Sequence, residues 1–318
     1  MKIKHTTSNR KNAMRAAALS LSLIAGGAMA ASCDKVRFSD VGWTDITATT
    51  AVTSEVVNAL GYKASTQLLS VPVTYTSLAN GDIDIFLGNW MPTMEADIAK
   101  YRDAGTVETV RANLVGAKYT LAVPKYVFDG GVKSFADIAK FKDNFKAKIY
   151  GIEPGNDGNR IIQGMIDKNA FDLKGFKLVE SSEAGMISQV TRAAKRDQWI
   201  AFLGWAPHPM NANIKMEYLD GGDDFFGPNY GGASVYTNVR KGYLKECPNV
   251  GQLLQNLSFS LEMENQIMGA ILNDGEKPEV AAKTWLQGNP GVLDAWLKGV
   301  TTKDGGDAMQ AVKANLAM

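Results

Sequence analysis

Histidine, cysteine and the common catalytic motifs are scarce or missing in this sequence. Its 318 residues include two histidines, His5 and His208, and two cysteines, Cys33 and Cys247. It contains no G-x-S-x-G elbow, Walker loop, G-x-G-x-x-G or H-E-x-x-H motif. A Ser-His-Asp or Cys-His mechanism would have to use one of the two histidines. The sequence therefore predicts no catalytic residue, no metal site and no cofactor.

An excess of charge of either sign is also missing. The sequence has 34 Lys and Arg residues against 33 Asp and Glu residues, a formal net charge of +1. A nucleic-acid-binding protein needs a basic excess to meet phosphates, so this class is disfavoured. A composition of 45% hydrophobic and 21% charged residues is that of a folded globular chain and excludes disorder. It does not suit a protein with several membrane spans either.

The first 30 residues have the three parts of a secretory signal peptide. They contain five basic and no acidic residues, and an uncharged apolar stretch, Ala16–Ala30, ends in Ala28-Met29-Ala30. This stretch is shorter than the roughly 20 residues of a membrane span. A core helix is the alternative, which Gly26-Gly27 and the basic start disfavour. Cleavage after Ala30 would leave a periplasmic chain with net charge −4 and with His208 as its only histidine.

Export changes the interpretation of the two cysteines. An oxidising compartment favours a disulfide bond between Cys33 and Cys247, the only pair in the sequence. The alternative is a lipid anchor on Cys33, but Ala30-Ala31-Ser32 is a poor match to an acylation site. We therefore predict a bond that ties the start of the mature chain to a point far along the sequence.

The rest of the chain alternates strand-like and helix-like segments, which predicts an α/β fold with parallel strands. The predicted strands are Val36–Val41, Ile83–Leu87, Tyr119–Val123, Lys148–Ile152 and Trp199–Leu203. The predicted helices are Thr49–Leu60, Met94–Ala104 and one that begins near Asn159, and the sequence after about Val250 is mostly helical.

Two segments of the chain resemble each other. Phe86-Leu87-Gly88-Asn89-Trp90-Met91-Pro92 and Phe202-Leu203-Gly204-Trp205-Ala206-Pro207 are both apolar strands followed by Gly, Trp and Pro. Coincidence is one explanation, because short strands often end in Gly and Pro. The other is two similar lobes, each presenting a Trp at the carboxyl end of a strand, where open α/β sheets bind ligands.

Aromatic and polar residues recur at the ends of these predicted strands. Each has an ordinary alternative role, a Trp in core packing and an Asx residue in a helix cap or turn. Together they would suit a quaternary ammonium ion, which donates no hydrogen bond and is attracted by the faces of aromatic rings. The candidate ligand-binding residues are Trp43, Asp45, Trp90, Tyr119, Asn156 and Trp205. We expect Trp199, Trp285 and Trp296 to be packing residues.

At these residues the sequence resembles the substrate-binding proteins of ABC importers for glycine betaine and choline. The similarity spans nearly the whole mature chain. Its most specific parts are the segments 36–45, 80–86, Trp90-Met91-Pro92 and Gly204-Trp205-Ala206-Pro207. The resemblance implies a two-lobed periplasmic binding protein fold of type II, a Venus flytrap that closes at a hinge. It implies that residues 31–116 and 207–318 form lobe 1 and that residues 117–206 form an inserted lobe 2, with His208 as a hinge or packing residue.

The resemblance also implies roles for the candidate residues. Trp43, Trp90, Tyr119 and Trp205 would form an aromatic box around a trimethylammonium group. Asp45 would supply charge and accept a hydrogen bond from a ligand hydroxyl, and Asn156 would orient the polar end. Asp45 would repel the carboxylate of a betaine, so the resemblance favours choline.

The expected partners are choline, with acetylcholine or betaine bound more weakly, and an ABC permease driven by a cytoplasmic ATPase. We expect a monomer that binds no nucleic acid. The alternatives are the same fold binding glycine betaine, proline betaine or carnitine, and an exported choline-ester hydrolase that would depend on His208.

Overall fold

Nine strands form a single mixed sheet in the computed structural model of the protein, which describes residues 1–2 and 33–318. The order of the strands is β2-β1-β3-β9-β4-β7-β5-β6, and β8 pairs with the end of β4. The strands are β1 (Lys35–Asp40), β2 (Lys63–Leu68), β3 (Ile85–Met91), β4 (Val107–Pro124), β5 (Lys148–Tyr150), β6 (Lys177–Val179), β7 (Phe202–Ala206), β8 (Met216–Tyr218) and β9 (Gly232–Arg240).

Sixteen helices pack around this sheet in the described part of the chain. They are α1 (Thr44–Ala59), α2 (Val71–Asn80), α3 (Glu95–Asp103), α4 (Lys125–Asp129), α5 (Phe135–Ile138), α6 (Asp157–Asp167), α7 (Glu183–Ala194), α8 (Met210–Asn213), α9 (Asp223–Phe226), α10 (Pro228–Gly231), α11 (Tyr243–Glu246), α12 (Pro248–Asn256), α13 (Leu261–Leu272), α14 (Pro278–Gly288), α15 (Val292–Trp296) and α16 (Ala308–Leu316). Two short 3-10 turns cover Ala139–Phe141 and Ala170–Asp172. No helix of residues 1–2 and 33–318 combines the length and the apolar character of a membrane span.

The prediction of an α/β fold is confirmed, whereas the prediction of parallel strands is wrong for the centre of the sheet. The outer pairs β1–β2, β1–β3, β5–β6 and β5–β7 are parallel. The central strands β9 and β4 run antiparallel to their neighbours on both sides. The reason is that β9 returns from the far end of the chain between β3 and β4, a long-range pairing that no local pattern signals.

Strand β4 joins the two parallel outer parts of the sheet. Its first part, Val107 to Lys118, pairs with β9, and its last part, Lys118 to Ala122, pairs with β7. We call the part of the sheet containing β1, β2, β3 and β9 the first half, and the part containing β5, β6 and β7 the second half. The chain thus passes from one half to the other along a single strand.

The apolar strands β3 and β7, one in each half, are almost completely buried. In β3, Ile85 to Trp90 are all buried, and in β7 only Ala206 is partly exposed. Helix α1 packs on the first half with buried side chains on several sides, including Ile46, Val52 and Val56.

The predicted disulfide bond between Cys33 and Cys247 is present and closes a sequence separation of 214 residues. Cys33 lies just before β1, and Cys247 follows α11. The bond therefore ties the start of the first sheet half to the helices that follow β9. The predicted leader, residues 1–30, lies outside the described residues apart from Met1 and Lys2 and stays a prediction.

Candidate functional site

The six candidate ligand-binding residues line one cavity. Its walls are formed by Trp43, Asp45, Trp90, Tyr119, Ile152, Asn156, Asp157 and Trp205. The four aromatic residues are each only 4–5% exposed. The space at this site, including the solvent at its mouth, is about 270 Å³. Buried aromatic walls of this kind suit a small ligand.

Trp43 and Asp45 are placed by the tight turn between β1 and α1. The Asp40 carboxylate accepts hydrogen bonds from the Gly42 backbone N–H at 2.7 Å and from the Thr47 hydroxyl at 2.7 Å. Gly42 has a φ of +81°, which a residue with a side chain rarely adopts. The turn brings Asp45 into the first turn of α1, where the helix dipole favours a carboxylate.

Strand pairing brings Tyr119 and Trp205 together. The two residues are direct partners in the β4–β7 pair, so their side chains lie on the same face of the sheet. Their ring centroids are 6.4 Å apart, and those of Trp90 and Tyr119 are 6.0 Å apart. Trp90 and Trp205 are the next-to-last residues of β3 and β7, which run three residues past the predicted ends or more. The peptide bonds before Pro92 and Pro207 are both cis.

Asn156 begins helix α6 and also lines the cavity. Its Oδ1 accepts hydrogen bonds from the Asn159 backbone N–H at 3.1 Å and from the Tyr119 hydroxyl at 2.8 Å. Its Nδ2 donates to Asp157 Oδ1 at 3.0 Å. The two roles considered for Asn156, a helix cap and a wall of the cavity, are therefore combined in one side chain.

Asp45 is almost completely buried in the wall of the cavity, with 1% of its surface exposed. Its Oδ2 accepts a hydrogen bond from Trp90 Nε1 at 3.1 Å. Burial, together with the charge of nearby Glu183, raises the pKa of Asp45 to about 8, and the Trp90 hydrogen bond only partly offsets this. In the empty cavity at neutral pH the carboxyl is thus mostly protonated, and an incoming cation would favour its ionised form.

Several residues of the site were missed by the sequence predictions. Asp157 and Ile152 line the cavity directly. Glu153 accepts a hydrogen bond from Trp43 Nε1 at 2.8 Å, and Glu183 Oε2 accepts one from the Thr44 backbone N–H at 2.9 Å. Asp157 directly follows Asn156, so the predicted site could have been extended to it from the sequence. No sequence pattern marks Glu153 or Glu183 as part of the site.

His208 does not line the cavity but supports its wall from behind. It is buried, and its ring centroid lies 4.9 Å from that of Trp205. Its Nδ1 accepts the Met210 backbone N–H at 2.9 Å, so Nε2 carries the hydrogen and faces Glu183 Oε1 at 3.2 Å. The histidine thus supports Trp205 and lines no part of this cavity.

The mixed α/β fold and the enclosed cavity between two sheet halves define the class of the chain as a substrate-binding protein. Residues 34–288 match the family described as the substrate-binding domain of ABC-type glycine betaine transport systems. The chain belongs to this family.

Solved structures and a curated relative agree with the family assignment. An ABC-transporter choline-binding protein in complex with choline is 67% identical, with a TM-score of 0.89, over 90% of this chain and 99% of that one. The same kind of protein in an unliganded semi-closed conformation is 66% identical, with a TM-score of 0.84, over 90% and 100% of the two chains. The glycine betaine/carnitine transport binding protein GbuC of Listeria monocytogenes is 32% identical over 49% of this chain and 51% of that protein.

The expected type II periplasmic binding protein fold is confirmed by these structures. The expectation that the chain is not an enzyme is confirmed by its family. Substrate-binding proteins of ABC transporters capture and release a ligand without converting it. The alternative of a choline-ester hydrolase has no support from the family.

Proposed function

We propose that the protein binds choline in the cavity between the two sheet halves and delivers it to an ABC permease driven by a cytoplasmic ATPase. The observation that carries this proposal is the set of four buried aromatic rings that meet at one cavity with a buried carboxyl group. The 67% identity to a choline-binding protein solved with choline supports the same ligand. The family supports a periplasmic location, which the predicted leader would provide.

The aromatic rings would hold the trimethylammonium group. Each ring face can contribute about 0.5–2 kcal/mol to the binding of a cation, and more where water is excluded. Asp45 would supply the opposite charge. Asn156, at the N-terminus of α6, would orient the polar end of the ligand.

Choline is favoured over betaines by the charges around the cavity. None of the residues that line it is basic, so the carboxylate of a betaine would find no cation to pair with there. Arg160 is near in sequence but pairs with Asp97 instead, with Nη1 and Nη2 at 2.8 and 2.7 Å from the carboxylate oxygens. The alternative ligands are glycine betaine, proline betaine and carnitine, and glycine betaine and carnitine appear in the names of family members.

A competition series tests this ligand choice. We expect isothermal titration calorimetry to give tight binding for choline, weaker binding for acetylcholine and the weakest for glycine betaine. Tryptophan fluorescence should change on saturation with choline, because three Trp side chains line the cavity. Equal affinities for choline and betaine, or an unchanged spectrum at saturation, would contradict the proposal.

The two sheet halves would be the two lobes. The predicted crossing near residues 115–118 agrees with the part of β4 at which its partner changes from β9 to β7. The predicted return of the chain to the first lobe is near residue 206. Because β8 pairs with Ala122 to Pro124 of β4, a later return is favoured, at the start of β9 near Gly232. A ligand that completes its contacts only when the lobes meet would stabilise the closed form.

One ion pair joins the proposed lobes and gives a test of closure. Arg160 of α6 in the second half pairs with Asp97 of α3 in the first half, and the Asp97 side chain is only 9% exposed. We expect Arg160→Gln to lower choline affinity about three- to tenfold through faster release, since it leaves a buried carboxylate unpaired in the closed form. Stopped-flow fluorescence measures the release rate.

The matched control is Arg102→Gln. Arg102 also forms a two-point pair with a carboxylate, Glu95, but both residues belong to α3. This variant should leave choline release unchanged. Equal effects of the two variants would show that the Arg160 pair does not contribute to closure.

A further inference from the structure

Helix α1 begins without a cap from its own segment. Its N-cap residue is Trp43, whose side chain caps no backbone N–H in the described part of the chain, so the start of the helix needs another acceptor. Glu183 supplies it from the other half of the sheet. Its Oε2 accepts a hydrogen bond from the Thr44 backbone N–H at 2.9 Å, and its Oε1 accepts one from the Thr44 hydroxyl. A helix of the first half is thus capped by the segment between β6 and β7 of the second half.

His208 orients the Glu183 carboxylate. Its Nε2 donates to Glu183 Oε1 at 3.2 Å, while its Nδ1 accepts a hydrogen bond from the Met210 backbone N–H at 2.9 Å. Glu183 is also the first residue of α7, where the helix dipole favours a carboxylate. Glu183 and His208 are only 5% and 2% exposed. The carboxylate is therefore held by α7 and by the segment after β7, independently of its contact with Thr44.

The same contact brings Glu183 close to other acids. Asp45 directly follows Thr44 and lines the cavity, which Glu183 itself does not. Burial, with the charge of Glu183 adding to it, raises the pKa of Asp45 to about 8. The titratable groups that face Glu183 in the described part of the chain are Asp40 at the end of β1, Asp45 in α1, Glu153 before α6 and His208 after β7. The acids repel one another when they are ionised, and a cation beside Asp45 relieves that repulsion.

We propose, on the basis of the choline function proposed above, that Glu183 is a positioning residue that joins the two sheet halves over a bound cation and opposes their closure over an empty cavity. Its hydrogen bonds with Thr44 stabilise the closed form. Its charge beside Asp45 destabilises the same form unless a cation is bound. The two effects together make closure depend on the positive charge of the ligand, although Glu183 does not line the cavity.

Choline affinity at two pH values separates the hydrogen bonds of Glu183 from its charge. Glu183→Gln has nearly the same size, but its amide nitrogen cannot accept the hydrogen that Thr44 donates. At pH 9, where Asp45 is mostly ionised, we expect calorimetry to show an affinity about tenfold lower or more, the effect of losing a hydrogen bond to a charged group. Stopped-flow fluorescence should attribute this loss to faster release. At pH 7 the loss should be smaller, because the variant no longer opposes the ionisation of Asp45.

The matched variant is Thr44→Ala, which removes the hydroxyl that donates to Glu183 Oε1 and keeps every charge. It should also release choline faster, and its affinity should fall about three- to tenfold by the same factor at pH 7 and at pH 9. A residue that only supports the fold would show this uniform loss in both variants. The difference between the two pH profiles therefore reports the charge of Glu183.

Circular dichroism and melting temperature establish that each variant is folded. Glu183→Met, an apolar side chain of similar size, replaces Glu183→Gln if the latter does not fold, with the same expectations. Equal losses at pH 7 and pH 9 in the Glu183 variant would overturn the role of its charge. Unchanged release rates in both variants would overturn the role of its contact with Thr44. If the wild type bound no choline at either pH, the proposed function itself would be wrong.

Discussion

Asp45→Asn is expected to weaken choline binding by about a hundredfold or more above pH 8. The variant keeps the shape of the side chain and can still accept the hydrogen bond that Trp90 Nε1 gives to Asp45 Oδ2 at 3.1 Å. What it removes is a negative charge in a water-poor cavity walled by aromatic rings. Breaking one side of such a buried charge pair costs several kcal/mol. Calorimetry at pH 9 would measure the loss.

The wild type and the variant should also differ in their pH dependence. Burial and the Glu183 charge raise the pKa of Asp45 to about 8, and a bound cation lowers it again. Choline affinity of the wild type should therefore rise by up to about tenfold per pH unit towards pH 8 and level off above it. Burial also raises the pKa of Glu153 to about 7 and that of Asp157 to about 6, so those groups contribute at lower pH. In the Asp45→Asn variant the increase in choline affinity between pH 7.5 and 9 should disappear.

The same substitution should stabilise the protein when no ligand is present. The pKa of Asp45 is about 8 in the folded chain and 3.8 as its ordinary value. The free energy of unfolding that protonated Asp45 contributes is thus fully present below about pH 4. It falls as the pH rises from 4 to 8 and is lost above pH 8. The free Asp45→Asn protein should melt at a higher temperature than the wild type at pH 9, and this gap should close towards pH 4. A less stable variant at pH 9, or unchanged choline affinity there, would contradict the role assigned to Asp45.

The positions of the aromatic residues could be predicted because local signals mark the ends of their strands. Gly88 and Pro92 flank Trp90, and Gly204 and Pro207 flank Trp205. The reason that they converge differs from the predicted common edge of parallel strands, because β3 and β7 run in opposite directions and their carboxyl ends meet near the middle of β4. Asn156 could also be predicted from a local pattern, the Gly-rich turn that precedes a helix.

Two parts of the sheet could not be predicted, its edge strand β2 and its centre. Strand β2 has no alternation of apolar and polar residues and is largely exposed. Strand β9 alternates, but nothing near it in sequence indicates that it lies between β3 and β4. The first turn of α1 was missed because Thr44, Ile46 and Thr47 are β-branched and favour helices weakly. Tertiary packing overrides that preference and places Asp45 on a helix.

The supporting glutamates were missed for a related reason. Glu153 and Glu183 belong to the second half of the sheet, yet they bond to Trp43 and Thr44 of the first half. These contacts exist only when segments that are 110 and 139 residues apart in sequence meet. Six of the eight residues that line the cavity could therefore be predicted, whereas those that hold its walls together could not.

Gly158→Ala is expected to cost most of the choline affinity without touching the ligand. Gly158 is the second residue of α6, and a Cβ atom there would lie 2.1 Å from the Tyr119 hydroxyl oxygen and 2.7 Å from Tyr119 Cζ. Tyr119 is buried and cannot move away freely, because its hydroxyl donates to Asn156 at 2.8 Å and its ring packs edge-on against Phe226. Overpacking of this kind costs about 1–3 kcal/mol.

The displaced ring would leave the aromatic box and release its hydrogen bond to Asn156. We expect choline affinity to fall at least about tenfold, the worth of one ring face and one hydrogen bond together. Gly164→Ala is the matched control, since it lies on the same helix and its Cβ would meet no atom within 4 Å. That variant should bind choline normally and be more stable by up to about 1 kcal/mol, because Ala favours helices over Gly.

A double variant identifies the clash as the cause. In a Tyr119→Phe background the oxygen at 2.1 Å is gone and the Cζ contact at 2.7 Å remains, so adding Gly158→Ala should cost less affinity than it does in the wild type. Calorimetry of the four proteins measures this coupling. If Gly158→Ala and Gly164→Ala had equal effects, or if Gly158→Ala cost as much in the Tyr119→Phe background as in the wild type, the clash with the Tyr119 hydroxyl would not be the cause. Glycine at residue 158 is then required by the aromatic box because it leaves room for the tyrosine that closes it.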